Sequence, residues 1–207
     1  MFRDREDAGN KLALKLRKTI KDNNFVVVAL LRGGIVLGKK ISDYFKVPLF
    51  PLAIKKIGAP LDSELAIGAV TFDETSYFDK DLIQHLNVDI NYIKNSLGIK
   101  SKEAEELQRL FKSKISLENK KVIVVDDGVA TGATVICAVK YVKKLQAKEI
   151  ILATPIIAKD SLKIIKNHFD RVVSLEVVQK FHAIGEFYAD FRQLSDEELS
   201  VYCSVAN

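Results

Sequence analysis

The stretch Val122 to Thr134 reads VIVVDDGVATGAT. Val122 to Val125 are all apolar and β-branched, as in a strand buried on both faces. Two carboxylates, Asp126 and Asp127, stand at its carboxyl end. A turn of small residues follows, Gly128-Val129-Ala130-Thr131-Gly132-Ala133-Thr134, and opens a helix predicted over Gly132 to Leu145. Open α/β sheets bind ligands beyond the carboxyl ends of their strands. Successive backbone N–H groups beside a helix N-terminus form a phosphate site, and the hydroxyls of Thr131 and Thr134 add donors. Ionised aspartates only accept hydrogen bonds. A phosphate cradle flanked by two acceptors suits a sugar phosphate, with its hydroxyls on the carboxylates. Other phosphate loops fit less well. No Lys-Ser/Thr pair follows the glycines, no G-x-G-x-x-G is present, and a phosphoaspartate enzyme would separate its two aspartates by one residue. Taken alone, an Asp-Asp pair reads equally well as a solvated turn. The apolar run before it and Thr-Gly-Ala-Thr after it favour the binding site.

The same alternation runs outward from this unit. Residues 5 to 21 show helical spacing, with Ala8, Leu12, Leu16 and Ile20 on one stripe. FVVVALL, Phe25 to Leu31, is a second doubly buried strand, broken by Arg32-Gly33-Gly34 before a helix from Ile35 to Phe45. Leu49 to Ile57 is the next strand. Residues 58–89 interrupt the pattern with Gly58, Pro60 and Gly68 and read as a long excursion, a hairpin with mobile segments. Residues 90 to 115 form a polar helix, with a break expected at Gly98. After Lys121 to Val125 come a strand from Glu149 to Thr154, a helix from Lys159 to Asn167 and a strand from Arg171 to Val178. An aromatic-rich stretch spans 181–191, and a last helix from Asp196 to Val201 is capped by Ser195. Strand-helix alternation predicts an α/β, doubly wound, mainly parallel sheet. It forms one domain over 1–207, with a flexible excursion at 58–89 and a small C-terminal hood at 179–207.

Hydrophobic residues make up 48% and charged residues 29% of the 207, which excludes a disordered chain. The net charge of +5 comes from Lys-rich cations, only 7 of 32 being Arg. That favours anionic ligands, and without a helix-turn-helix or zinc motif it argues against a nucleic-acid partner. No apolar run reaches the length of a membrane span. The first residues lack a signal-peptide core, and the two cysteines, Cys137 and Cys203, share no metal spacing. The expectation is a reduced, cytoplasmic protein.

The segment VIVVDDGVATGAT resembles the signature for 5-phosphoribosyl-1-diphosphate (PRPP) in type I phosphoribosyltransferases. Gly128 departs from it, standing where that family has an aliphatic residue. An opening FRDREDAG, the loop LRGGIVLG, KKIGAP followed by ELAIGAV, and a closing FHAIGEFYADFRQLSDEE are similar to the branch of that superfamily whose acceptors are unassigned. Leu31 stands where that branch has Pro. The resemblance covers most of the chain.

It implies a glycosyltransferase of the pentosyl type. The 5-phosphoribosyl group would move from PRPP to a nitrogen acceptor, a nucleobase, with release of pyrophosphate and dependence on Mg²⁺, in nucleotide metabolism. Asp126 and Asp127 would hold the ribose hydroxyls, and Gly128, Val129, Ala130, Thr131, Gly132, Ala133 and Thr134 the 5-phosphate. Arg32, Gly33, Gly34, Lys55 and Lys56 would form the pyrophosphate side, with a cis or strained peptide near Arg32–Gly33. Of the two lysines one should turn away from the site, and Lys56 is favoured for catalysis beside Asp126, Asp127 and Arg32. Alone, Arg32-Gly33-Gly34 reads equally as an ordinary strand-to-helix turn. Ile156, Phe181, Phe187 and Tyr188 are candidates for the acceptor pocket, although aromatics there also read as a satellite core. The metal would be carried by substrate oxygens, with no direct protein ligand expected. Self-association as a homodimer is common in the superfamily. Two other readings share the cradle: a non-enzymatic PRPP-binding regulator, and a hydrolase or transferase of ribose phosphates.

Overall fold

The computed structural model describes residues 1–111 and 115–203. The chain forms α1 (Arg5–Thr19), β1 (Phe25–Leu31), α2 (Gly34–Phe45), β2 (Leu49–Ala59), β3 (Asp62–Thr71), β4 (Ser76–Phe78), α3 (Lys80–His85) and α4 (Ile90–Gln108). It continues through β5 (Lys121–Val125), α5 (Ala133–Lys144), β6 (Glu149–Ala158), α6 (Lys159–Ile165) and β7 (Arg171–Val178) to a short 3₁₀ turn, Ile184–Phe187, and α7 (Asp196–Cys203). The sheet order is β4-β3-β2-β1-β5-β6-β7, with β2, β1, β5, β6 and β7 parallel and β3 and β4 antiparallel.

β1 shows why an unbroken apolar run is needed at the centre. Phe25, Val27, Ala29 and Leu31 join the core with α1 and α2, while Val26, Val28 and Leu30 join the core with α5 and α6. Alternate side chains leave opposite faces of a strand, so every position of β1 is interior. Direction of winding reverses between β1 and β5, the topological switch point where such sheets open a crevice.

The hairpin expected in the excursion is present, and it is longer than a loop with a short turn: strands β3 and β4 and helix α3 span residues 62–85. β2 runs on into an antiparallel hairpin with β3, and β4 pairs on the outside. Ile57, Ile67 and Val70 form a small separate core with Leu82, Ile83, Tyr92 and Leu97. Asp62 accepts from the Glu64 and Leu65 amides. Asp73 pairs with Lys144 at 2.7 Å and pins the β3–β4 turn to α5. Both carboxylates therefore serve turns. α4 passes through Gly98 without a break but ends at Gln108, short of the expected 115; residues 109–111 and 115 are not helical, and 112–114 lie outside the described residues. β6 extends to Ala158, which puts Ile156 and Ile157 inside the strand rather than after it.

The hood is tied to the other end of the chain. Phe2 bridges Tyr188, and the amides of Phe2, Ala189 and Asp190 bond to Phe187, Phe2 and Arg3 carbonyls at 2.7, 2.8 and 2.9 Å. Ser195 caps α7 as expected, receiving the Glu198 amide at 3.2 Å, while Glu198 accepts the Ser195 amide at 2.9 Å. This reciprocal pair is a capping box.

Candidate active site

A cavity of about 590 Å³ opens at the switch point. Its floor is the carboxyl ends of β1 and β5 and the turns that follow them. Gly132 has φ of 90°, a left-handed conformation that favours glycine, and it turns the chain into α5. The first amides of α5 have no intrahelical acceptor and carry the positive end of the helix dipole. Ala130, Thr131, Gly132 and Thr134 line the cavity here. Val129 and Ala133 do not. Their side chains are buried in the core, and Val129 bridges Ile157 of β6. The Ala130 carbonyl accepts from the Ser161 hydroxyl, which braces the turn from α6.

The two carboxylates differ in surroundings. Asp126 accepts the Asp127 amide at 3.0 Å. Burial and the adjacent Asp127 carboxylate push its carboxyl up to about 8, opposed by the Lys56 ammonium. Asp127 is paired with Arg5 of α1 at 2.7 Å, with side-chain exposures of 11% and 12%. Its carbonyl accepts the Tyr188 hydroxyl at 2.6 Å.

Cations gather on the β1–β2 side. Arg32, Gly33, Lys55 and Lys56 line the cavity, and the peptide bond before Arg32, Leu31–Arg32, is cis, one residue ahead of the expected place. Neither lysine turns away from the cavity, contrary to expectation. Lys55 reaches Glu103 of α4 at 3.6 Å, and Glu103 also takes Lys100 at 2.7 Å, while Lys56 stands by Asp126. The two leave opposite faces of β2, yet both side chains reach the cavity. Gly34 does not line the cavity, because a Cβ there would meet the Val125 carbonyl oxygen at 2.6 Å. It is the packing residue that lets α2 start against the end of β5.

The acceptor candidates are placed differently from the sequence expectation. Ile156 is fully buried below Gly128. Tyr188 is 5% exposed and packs on Phe2 and Phe191 at centroid distances of 5.4 and 5.0 Å. Phe181 and Phe187 pack on each other at 5.3 Å. None of these four lines the cavity, and the aromatics hold the hood together. The hood instead contributes Ile184 and Gln193 to the lining, and the hairpin contributes Ser63 and Glu64. Gly128 explains Ile184, because a Cβ at Gly128 would meet Ile184 Cγ2 at 2.7 Å. The exchange of an aliphatic residue for glycine in the turn is thus filled by an aliphatic residue from the hood.

The phosphoribosyl transferase domain model matches residues 2–192. The chain belongs to that family. The phosphoribosyl transferase assignment agrees with a Mycobacterium tuberculosis H37Rv protein named "Putative phosphoribosyl transferase Rv0571c". It is 30% identical over 210 residues, covering all of this chain and 47% of that protein. The chain therefore spans about half the length of the curated relatives it matches. Among solved structures, TT1426 from Thermus thermophilus superposes with a TM-score of 0.80 at 28% identity, over 100% of this chain and 99% of that one. A purine phosphoribosyltransferase from Pyrococcus horikoshii shares the fold at a TM-score of 0.50 and 19% identity, with 93% of each chain covered. These likenesses confirm the type I phosphoribosyltransferase architecture around the cavity.

Sequence reasoning passes over Arg5, Ile184 and Gln193, and with them Ser63, Lys100, Glu103 and Leu107 of the cavity wall. Arg5 lies in the opening segment FRDREDAG, whose resemblance carries no role for it. Ile184 and Gln193 lie in the closing segment, where aromatic content draws attention to their neighbours. Among the described residues no group of three or more His, Cys, Asp or Glu could hold a metal ion, and His182 is exposed and does not line the cavity.

Proposed function

We propose that this protein is a phosphoribosyltransferase that moves the 5-phosphoribosyl group of PRPP to a nitrogen acceptor, with release of pyrophosphate. One observation carries the reading: a single cavity joins the α5 N-terminus, the Asp126–Asp127 pair and the Arg32/Lys55/Lys56 cations. The 5-phosphate takes the turn from Ala130 to Thr134, with hydroxyl donors from Thr131 and Thr134. The ribose hydroxyls donate to Asp126 and Asp127. Arg32, Lys55 and Lys56 hold the diphosphate.

In the reaction the acceptor nitrogen forms a bond to C1 of the ribose, and the C1–O bond to the diphosphate breaks. Pyrophosphate leaves with the bonding electron pair, and the acceptor's N–H proton passes to solvent. No protein nucleophile is required. The chain supplies orientation and charge. Arg32 and Lys56 offset negative charge on the departing pyrophosphate, while the carboxylates face positive charge developing on the sugar ring. The hairpin wall at Ser63 and Glu64 and the hood at Ile184 limit the access of water, which would otherwise hydrolyse that ring. Mg²⁺ suits this donor set. It would be carried mainly by substrate oxygens, with the free oxygens of Asp126 and Asp127 as the nearest protein acceptors. Bound there, it would neutralise diphosphate charge. A nucleobase is the acceptor class the family resemblance favours.

The test is calorimetric titration with PRPP, with and without Mg²⁺, and with ribose 5-phosphate as control. Mg²⁺-dependent binding of PRPP well above the control supports the reading, and loss of binding in Asp126→Asn/Asp127→Asn supports the ribose assignment. Pyrophosphate release across a panel of bases and amines then separates an enzyme from a PRPP-binding regulator. Equal affinity for PRPP and ribose 5-phosphate would instead support a ribose-phosphate hydrolase or transferase.

A further inference from the structure

Arg5 is the residue through which three separate parts of the chain meet. Its Nε donates to Asp127 Oδ2 at 2.7 Å, and its Nη1 donates to the Arg192 carbonyl in the hood at 2.8 Å. Its guanidinium lies over the Phe191 ring, 3.9 Å from the centroid. The next hood carbonyl but one, that of Leu194, accepts from Nη1 of Arg32 at 3.3 Å. Gln193, between the two carbonyls, lines the cavity. The strap 192–194 is thus fastened by two arginines, one paired with the second signature aspartate and the other at the start of the β1–α2 turn. A planar fork suits this task, because it serves two acceptors in fixed directions while its face stacks on an aromatic ring.

We propose that Arg5 is a positioning residue that couples the hood strap to the sugar site. It holds Asp127 by one carboxylate oxygen, leaves the other oxygen for a ribose hydroxyl, and with the same fork keeps the strap closed over the ligand. The inference rests on the PRPP reading above. Because both bonds come from one rigid group, a ligand that orders Asp127 also orders Arg5, and through it Arg192 and Gln193. Binding at the signature and closure of the hood then become one event. Tyr188 adds a second link, donating to the Asp127 carbonyl from the same hood.

The experiment compares wild type, Arg5→Met, Arg5→Lys and a control, Arg3→Met, whose side chain is 76% exposed. PRPP affinity is measured by calorimetry in Mg²⁺, and protection of the amides of residues 192–194 by hydrogen exchange with and without PRPP. Arg5→Met should weaken PRPP by about 10- to 100-fold, the usual loss when a partner orienting a ligating side chain is removed. PRPP should protect the strap amides in wild type and Arg3→Met but not in Arg5→Met. A purely structural role would leave ligand-induced protection intact. Arg5→Lys keeps the charge beside Asp127 and loses the second bond, so it should retain most of the affinity and lose the strap protection. It carries the test if Arg5→Met does not fold. PRPP binding and strap protection equal to wild type in Arg5→Met, or in Arg5→Lys where that variant stands in, would overturn the inference. Absence of PRPP binding by wild type would overturn the phosphoribosyl reading itself, and this inference with it.

Discussion

Gly33→Ala is the substitution whose cost the structure fixes most tightly. Gly33 has φ −63° and ψ −38°, an ordinary right-handed conformation that alanine adopts without strain. The demand for glycine is therefore one of space. A Cβ at this position would lie 1.8 Å from Asp127 Oδ2, 2.6 Å from its Cγ and 2.9 Å from Arg5 Nε. An ordinary carbon–oxygen approach is about 3.3 Å, so roughly 1.5 Å of movement is required. The turn cannot retreat, because Gly34 behind it is already against the Val125 carbonyl, at 2.6 Å from its would-be Cβ. Asp127 must give way, and its 2.7 Å pairing with Arg5 goes with it. Both side chains are nearly nine-tenths buried, so the separated charges recover little solvation. Breaking a buried pair costs about 3–5 kcal/mol. At about 2–4 °C per kcal/mol for a chain of this size, Tm should fall by about 6–20 °C. Calorimetric or circular-dichroism melting checks this. A variant that melts within about 2 °C of wild type would show that the turn yields at negligible cost, and would refute the argument that Gly33, Asp127 and Arg5 form one rigid contact.

Gly98→Ala should have the opposite sign. Gly98 lies inside α4 with nothing within 4 Å of its would-be Cβ, so helix propensity alone acts, raising stability by about 1 kcal/mol, read as a higher melting temperature. Tyr188→Phe removes the donor to the Asp127 carbonyl and leaves a buried acceptor without its partner. The expected loss is about 1–3 kcal/mol, measured from the urea midpoint. Asp126→Asn should gain stability relative to wild type as pH rises. The Asp126 carboxyl, raised to about 8, holds a proton in the native state that the unfolded chain releases in the usual carboxylate range. Wild-type stability from this group is therefore complete at low pH and lost as pH climbs through that window. Urea unfolding of both proteins at about pH 5 and about pH 9 reads the difference, and an unchanged gap would contradict the raised carboxyl.

The sheet was legible because its signal is local. β1, β5 and β7 match their expected bounds, since continuous apolar runs between turn residues leave few alternatives. Asp126, Asp127 and the turn to Thr134 were legible for a related reason: strand, turn and helix are adjacent in sequence, so their geometry follows from one segment. In the excursion the hairpin was legible but its extent was not, because Gly58, Pro60 and Gly68 look like loop punctuation. In the structure Gly58 and Gly68 sit within paired strands, where a Cβ would strike the backbone of Ser63 or of Tyr77. Gly98 looked like a helix break, but an exposed glycine in a long helix costs only about 1 kcal/mol, which α4 recovers through Ala104 and Leu107. Arg5 and Ile184 could not be read locally. Arg5 meets Asp127 across 122 positions, and Ile184 is drawn to Gly128 by the missing side chain there. A contact of that kind is visible in sequence only as a departure from pattern, which is how Gly128 first stood out.

Across the sheet edge the cavity presents charge in a fixed order. β2 and β1 bring Lys55, Lys56 and Arg32, β5 brings Asp126 and Asp127, and the α5 N-terminus lies beyond them. The pattern is positive, negative, positive. Pyrophosphate complements the first part and is repelled by the carboxylates, and ribose 5-phosphate complements the other two. Only a molecule with anion, hydroxyls and anion in line satisfies all three, and joining the fragments removes the entropy cost of placing the second. The affinity for PRPP should therefore exceed that expected from either fragment alone. The carboxyls in the middle would also sharpen selectivity: an anion lacking ribose hydroxyls leaves the free oxygens of Asp126 and Asp127 without donors in a half-buried crevice, and meets the charge of Asp127, only partly offset by Arg5.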